Sequence, residues 1–286
     1  DWTGLSSKMY CSKAWEIGSH LFVGALVLLL VVIYHLYVVE LDLPEFVSQP
    51  IGMEHMFGTI TYFTLTVIFI PLFFLISHAL RMYWFTMHQG SKVKIPFRLY
   101  FVEAKTYIMH SVTHKKFRDC PEKSRWIKHW LLAFGCVLMF FILVFFLRWF
   151  QTDNIYPVYH PQRWLGYLAT FFIVFGTVDI LISRIRKQKE IHKSSELSDL
   201  TLPIMLLLTV LSGIAVHIFR YLGLELTTHY AYALHLAIAV SVLVIEIPFG
   251  KWGHMIYRPL AIYFETVKEK ARQAQLPEEE IFSHVE

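Results

Sequence analysis

Fifteen histidines in 286 residues are the groups here with the most chemistry to offer, and six of them stand in or at the edge of apolar stretches: His20, His35, His78, His129, His217 and His235. An ionisable ring at membrane depth is costly unless it is bonded or ligated. Binding a haem iron removes that cost. Two imidazoles from facing helices, one on each side of the iron, leave it six-coordinate and suited to electron transfer. For any single ring, a hydrogen bond to a hydroxyl or carbonyl on a neighbouring helix is an equally good account; it is the set that points to iron. The cysteines Cys11, Cys120 and Cys136 form no C-x-x-C pair, so neither an iron–sulfur cluster nor a structural zinc site is supported. His88, His110, His114, His192 and His254 fall in basic segments, and His55, His160 and His229 near the other membrane surface, where loop or interfacial roles are expected.

The elements that must carry these residues are legible from hydropathy. The chain is 56% hydrophobic and 16% aromatic with a mean hydropathy of +0.48, too apolar for a domain whose surface meets water. About 20 apolar residues cross a bilayer as a helix, and six such stretches occur, roughly at 17–39, 59–82, 129–149, 164–183, 202–221 and 230–249. The first is too long for a signal-peptide core and lacks a small-residue cleavage pattern after it, so it is expected to remain a helix.

Charge sets the orientation. Segment 84–128 carries ten Lys or Arg, segment 184–200 adds five, and Lys8, Lys13, Lys251, Arg258, Lys268, Lys270 and Arg272 fall on the same side. The opposite loops 40–57, 150–162 and 221–228 contain none. By the positive-inside rule both termini are cytoplasmic and the number of crossings is even. The expected fold class is all-α: a single integral membrane bundle of six transmembrane helices, multi-pass in the cytoplasmic (inner) membrane, with a basic cytoplasmic loop at 84–128 and a cytoplasmic tail at 264–286. Aromatics among the charges of 84–128, such as Tyr100, Phe101 and Tyr107, suggest interfacial helices or a docking surface for a soluble partner. The net charge of +4 follows the loops, so membrane topology accounts for it and nucleic acid is set aside.

With that topology, His35, His217 and His235 occupy the outer half and His20, His78 and His129 the inner half. His20 and His35 lie fifteen residues apart on one helix, roughly 22 Å along its axis and within about 60° of one another, a spacing suited to two stacked haems.

The segment 125–262 resembles the cytochrome b subunits of respiratory nitrate reductase (the gamma-subunit family), and more closely their relatives in heterodisulfide-reductase-like and Dsr-type membrane complexes. The resemblance is carried by Arg125-Trp-Ile-Lys-His129, by Ser198-Asp-Leu-Thr201 with Gly213-Ile-Ala-Val-His217-Ile-Phe-Arg220, and by His235 followed by Pro248-Phe-Gly-Lys-Trp-Gly-His254 and Tyr257-Arg-Pro259. It implies two haems b, with His129 and His235 as a first pair provided the bundle brings them to similar depth. The family's second histidine on the helix of His129 falls at Met139, so that carry-over fails. His217 then pairs on depth with His35, or takes the Met139 thioether, although a methionine in an apolar helix is usually packing. An inner pair of His78 with His20 or His129 is the other option.

The function implied is that of an electron-transfer subunit in a respiratory oxidoreductase complex. It would pass electrons between quinone and a cytoplasmic iron–sulfur subunit of the heterodisulfide-reductase type, docked on the basic surface, with no catalytic centre for the substrate in this chain. Quinone needs an apolar cleft with a few polar groups; Arg81, Arg163 and Arg220 stand near helix ends, where snorkelling anchors are equally expected. The competing readings are a histidine-containing proton or metal transporter and a cofactor-free membrane anchor.

Overall fold

The computed structural model describes residues 4–37, 57–88, 95–114, 123–150, 152, 154–187 and 198–275. Among them there is no strand. A short α1 (Leu5–Cys11) leads into α2 (Lys13–Tyr37), followed by α3 (Phe57–His88), α4 (Phe97–Thr113), α5 (Lys123–Phe145), the single turn α6 (Leu147–Phe150), α7 (Pro161–Arg186), α8 (Ser198–Tyr221), α9 (Glu225–Ser241) and α10 (His254–Gln273). A π-helical turn, Val242–Glu246, prolongs α9, and a 3-10 turn, Lys251–Gly253, precedes α10.

Six of these elements contain spans long and apolar enough to cross a membrane: Lys13–Tyr34, Tyr62–His88, Lys123–Phe145, Pro161–Arg186, Asp199–Tyr221 and Glu225–Glu246. The chain is thus the all-α bundle of six membrane helices that hydropathy implies. Leu21, Phe22, Phe69, Phe73, Val137 and Phe171 face outward, exposed, which suits a lipid solvent. Several helices begin earlier than their apolar stretches. α5 starts at Lys123 rather than near 129, because a helix continues through flanking charged residues until a cap or turn stops it.

Packing is close where side chains are small. A Cβ on Gly176 would stand 2.6 Å from the Leu132 Cβ, and one on Gly135 would stand 2.9 Å from the Phe172 Cβ, so α5 and α7 meet nearly backbone to backbone. Leu132, Cys136, Ile173 and Val210 form the buried cluster joining these helices to α8.

The two ends differ. At the basic end Lys128 bonds Asp179 at 2.5 Å, Arg184 pairs with Asp199 at 3.3 Å and Lys270 pairs with Glu103 at 2.6 Å. At the opposite end the contacts go to backbone carbonyls: Arg220 to Thr152, Tyr221 to Tyr156 and Gln162 to Trp149. α4, within the basic segment 84–128, is folded against α10, where Tyr263 donates to the Tyr100 carbonyl at 2.9 Å. The solvated tail expected from 264 starts later. Phe264, Val267 and Ala271 are buried, a helical stripe that seats α10 on the bundle. The Glu278–Glu280 run lies outside the described residues.

Candidate functional site

Interhelical contacts fix the level of each histidine. His20 faces Ser241 and Gly24 faces Ala237, a register that sets the His35 backbone opposite Leu226 of α9; the His35 side chain lies outside the described residues, as do His55 and His192. Gly213 faces His235, which sets His217 opposite Ala231. Those two levels are five residues of helix apart, roughly 7 Å.

The pairing of His129 with His235 does not meet at one depth. Lys128 meets Asp179, Tyr167 meets His217 and Arg184 meets Asp199. These registers together carry His129 to the level of Leu243, eight residues and roughly 12 Å from His235. The condition of similar depth is unmet, because α5 begins six residues before His129 without lifting it far into the bundle.

What His129 does meet is His254. Their ring centres are 6.0 Å apart with planes inclined 20°, and His114 stands 5.3 Å from His129 on another side. The three rings line a cavity of about 210 Å³ with His110, Met255 and Arg258. Imidazole nitrogens are the ligands a haem iron takes, and His129 and His254 are the pair that would hold one here. The His254 Nδ1–H donates to the Lys251 carbonyl, which leaves its Nε2 with the lone pair a metal takes. His254 falls in a basic segment, where a loop or interfacial role is expected. The signal was present: Gly250 and Gly253 allow a tight turn that sends His254 back as the first residue of α10. His114 closes α4 in the left-handed region at φ 48°, and burial, then the nearby His254, holds its ring below the usual histidine range.

His235 shows the same ligand-ready tautomer. The Ser212 hydroxyl donates to the Thr209 carbonyl at 2.9 Å, so it accepts from His235 Nδ1, also at 2.9 Å. Nε2 is left bare. A Cβ on Gly213 would come within 3.2 Å of the ring's Cε1, so glycine makes the space the imidazole occupies.

His217 shares a 2.9 Å hydrogen bond through Nε2 with the Tyr167 hydroxyl and packs on Tyr221. Beside it the Arg163 guanidinium lies over the Tyr221 ring at 5.7 Å, with Nε and Nη2 buried and without a partner. Two buried guanidinium nitrogens without a hydrogen-bond partner could take a planar anion such as a carboxylate as their acceptor. Met139 sits one residue past the level of Tyr167 and packs with Ile214 against the Leu132 cluster, as a core methionine does.

The other two candidates are engaged elsewhere. His78 meets the Tyr257 hydroxyl at 3.1 Å and packs on Phe74 and Phe249. His20 uses both ring nitrogens, Nδ1 toward Ser241 at 3.3 Å and Nε2 toward Glu246 at 3.1 Å, and keeps none for iron. Cys11 and Cys136 are free thiols, Cys136 buried in packing. Among the described residues no group of three or more His, Cys, Asp or Glu is arranged to hold a bare metal ion. Compared with known families, curated proteins and solved structures, the chain matches none.

Proposed function

We propose that this chain is a di-haem cytochrome b subunit of a quinone-linked respiratory complex, carrying electrons between the quinone pool and an iron–sulfur subunit docked at the basic, cytoplasmic end. The observation that carries the reading is the facing of His129 and His254 across a cavity, with His254 held in the tautomer that presents Nε2. Each bound haem would supply a one-electron relay.

The chain's own residues do the holding. His129 and His254 hold the group at the basic end, and the Lys251 carbonyl keeps His254 oriented. His235, fixed by Ser212, holds the second group in the other half of the bundle, where His35 and His217 stand. Arg163 neutralises a propionate there, and Tyr167 orients His217. His20 and His78 have structural partners and no ligand role.

Absorbance of the purified, reduced chain tests the proposal. A b-type spectrum with about two haems per chain by pyridine haemochrome assay is expected. His254→Ala and His129→Ala each lose the same haem, His235→Ala loses the other, and His20→Ala keeps both. A colourless protein sinks the reading, and a His254→Ala variant that retains both haems removes the basic-end site.

A further inference from the structure

Near the basic end, α2 and α9 bury a polar group that the electron-transfer reading leaves unused. Glu16, His20, Ser241 and Glu246 are between 0% and 6% exposed. Glu246 ends the π-helical turn Val242–Glu246, an insertion of a kind that recurs at functional sites.

The donors and acceptors can be counted. The Ser241 hydroxyl donates to the Ile238 carbonyl at 2.8 Å, so it accepts from His20 Nδ1. The other ring nitrogen faces Glu246 Oε1 at 3.1 Å, and an ionised carboxylate only accepts. Both bonds are satisfied only if one proton more than neutral imidazole and carboxylate can supply lies between Nε2 and Oε1. Glu246 Oε2 accepts the Lys251 backbone N–H at 3.0 Å.

The surrounding charge agrees. Glu16 lies one turn from His20, 4.0 Å from Lys251 Nζ; Lys251 lies 3.4 Å from Asp199, which pairs with Arg184. Three acids, Glu16, Asp199 and Glu246, thus stand against two basic side chains, Lys251 and Arg184, which leaves the cluster one acid in excess. Of the basic groups on the other elements packed there, Lys8 of α1 turns onto the Trp15 ring, Arg81 of α3 lies over the Phe85 ring, and His78 of α3 bonds Tyr257. One atom stays open. Glu16 bonds Thr201 and lies beside Lys251, Glu246 and His20, and its Oε2 is buried with no hydrogen-bond partner.

We propose that Glu16, His20 and Glu246 form a proton-binding site, entered from the basic end, with the labile proton shared between His20 Nε2 and Glu246 Oε1 and Glu16 as the group that passes it in. No bond but N–H or O–H is made or broken: a proton leaves water, resides on Glu16, and moves to the His20–Glu246 pair. The chain thereby has a place to carry a proton into the membrane interior.

Solid-state NMR of the full chain in lipid, reduced and labelled at histidine nitrogen, reads this directly and needs no haem signal, so its failure is separate from that of the electron-transfer reading. At neutral pH one histidine is expected with both ring nitrogens protonated; the signal disappears in His20→Gln and reverts to single protonation in Glu246→Gln. Glu16→Gln keeps the doubly protonated ring but slows its exchange with deuterated water at least about tenfold. A singly protonated His20 whose Nε2 accepts no hydrogen bond in the wild type overturns the site, and so does displacement of the signal by added sodium, which would make it a metal-cation site. Unchanged exchange in Glu16→Gln overturns the role given to Glu16.

Discussion

Replacing Gly250 by alanine is a stringent test of the way Glu246 is seated. A Cβ at this position would lie 2.2 Å from Glu246 Oε2, 2.7 Å from its Cδ and 2.8 Å from its Cα. The backbone there, φ −94° and ψ −163°, is open to alanine, so the cost is steric rather than torsional. Overpacking of this kind costs about 1–3 kcal/mol. Driving the carboxylate away also loses the bond from the Lys251 N–H, about 1.5–3 kcal/mol for a charged acceptor. Together these destabilise by about 3–5 kcal/mol, a fall of roughly 10 °C in a thermal midpoint. Thermal unfolding in detergent, followed by circular dichroism, is the assay, with Gly18→Ala as reference. Gly18 is a helical glycine with nothing within 4 Å of its added Cβ, so that change stays within about 1 kcal/mol of the wild type. On a Glu246→Ala background the Gly250→Ala penalty shrinks by at least about 1 kcal/mol, although the contact to the Glu246 Cα remains. A Gly250→Ala protein as stable as Gly18→Ala, or a penalty unchanged by Glu246→Ala, would refute the buried seat.

Lys270→Ala leaves the Glu103 carboxylate, 2% exposed, with only Thr106 as side-chain partner, and lowers stability by about 1–2 kcal/mol on the same thermal assay. The Lys270 hydrogen bond holds the Glu103 carboxyl below its usual range, so its contribution is present above the unfolded carboxyl value and is lost as pH falls through the lowered folded value. Limited proteolysis should therefore show α10 loosening from α4 in acid for the wild type, and a weaker acid dependence in Lys270→Ala. Gly176→Val forces α5 and α7 apart at Leu132 and costs about 2 kcal/mol, with partial recovery in Gly176→Val/Leu132→Ala; a variant as stable as wild type would contradict the close helix contact.

The spanning helices were legible because apolar length is a local property of the chain. α10 was less so: Phe264, Val267 and Ala271 are spaced for a helix, but charged residues between them read as a solvated tail. His217 and His235 stood out in the sequence by their depth in apolar stretches and by the resemblance their flanking residues carry. His254 was missed, because its level depends on a turn at Gly250–Gly253 rather than on hydropathy. Glu16 and Glu246 drew no notice as isolated acids at the ends of apolar runs. Their meaning lies in contacts such as His20 with Glu246, 226 residues apart, which periodicity cannot supply.

Lys251 joins the two sites at the basic end, and it does so with three different groups. Its carbonyl accepts from His254 Nδ1, its backbone N–H donates to Glu246 Oε2, and its ammonium lies between Glu16 and Asp199. The first two are main-chain bonds and survive any side-chain replacement other than proline. Lys251→Met should therefore keep the His129–His254 haem and the position of Glu246 while removing one positive charge beside the proton site. The doubly protonated histidine signal should persist in Lys251→Met, because the His20–Glu246 contact it reports is seated by the main-chain bond to Glu246 Oε2 and not by the ammonium. If Lys251→Met lost the basic-end haem, the side chain rather than the turn would be orienting His254. Loss of the histidine signal would mean that the ammonium, and not the main-chain bond, holds Glu246 in place.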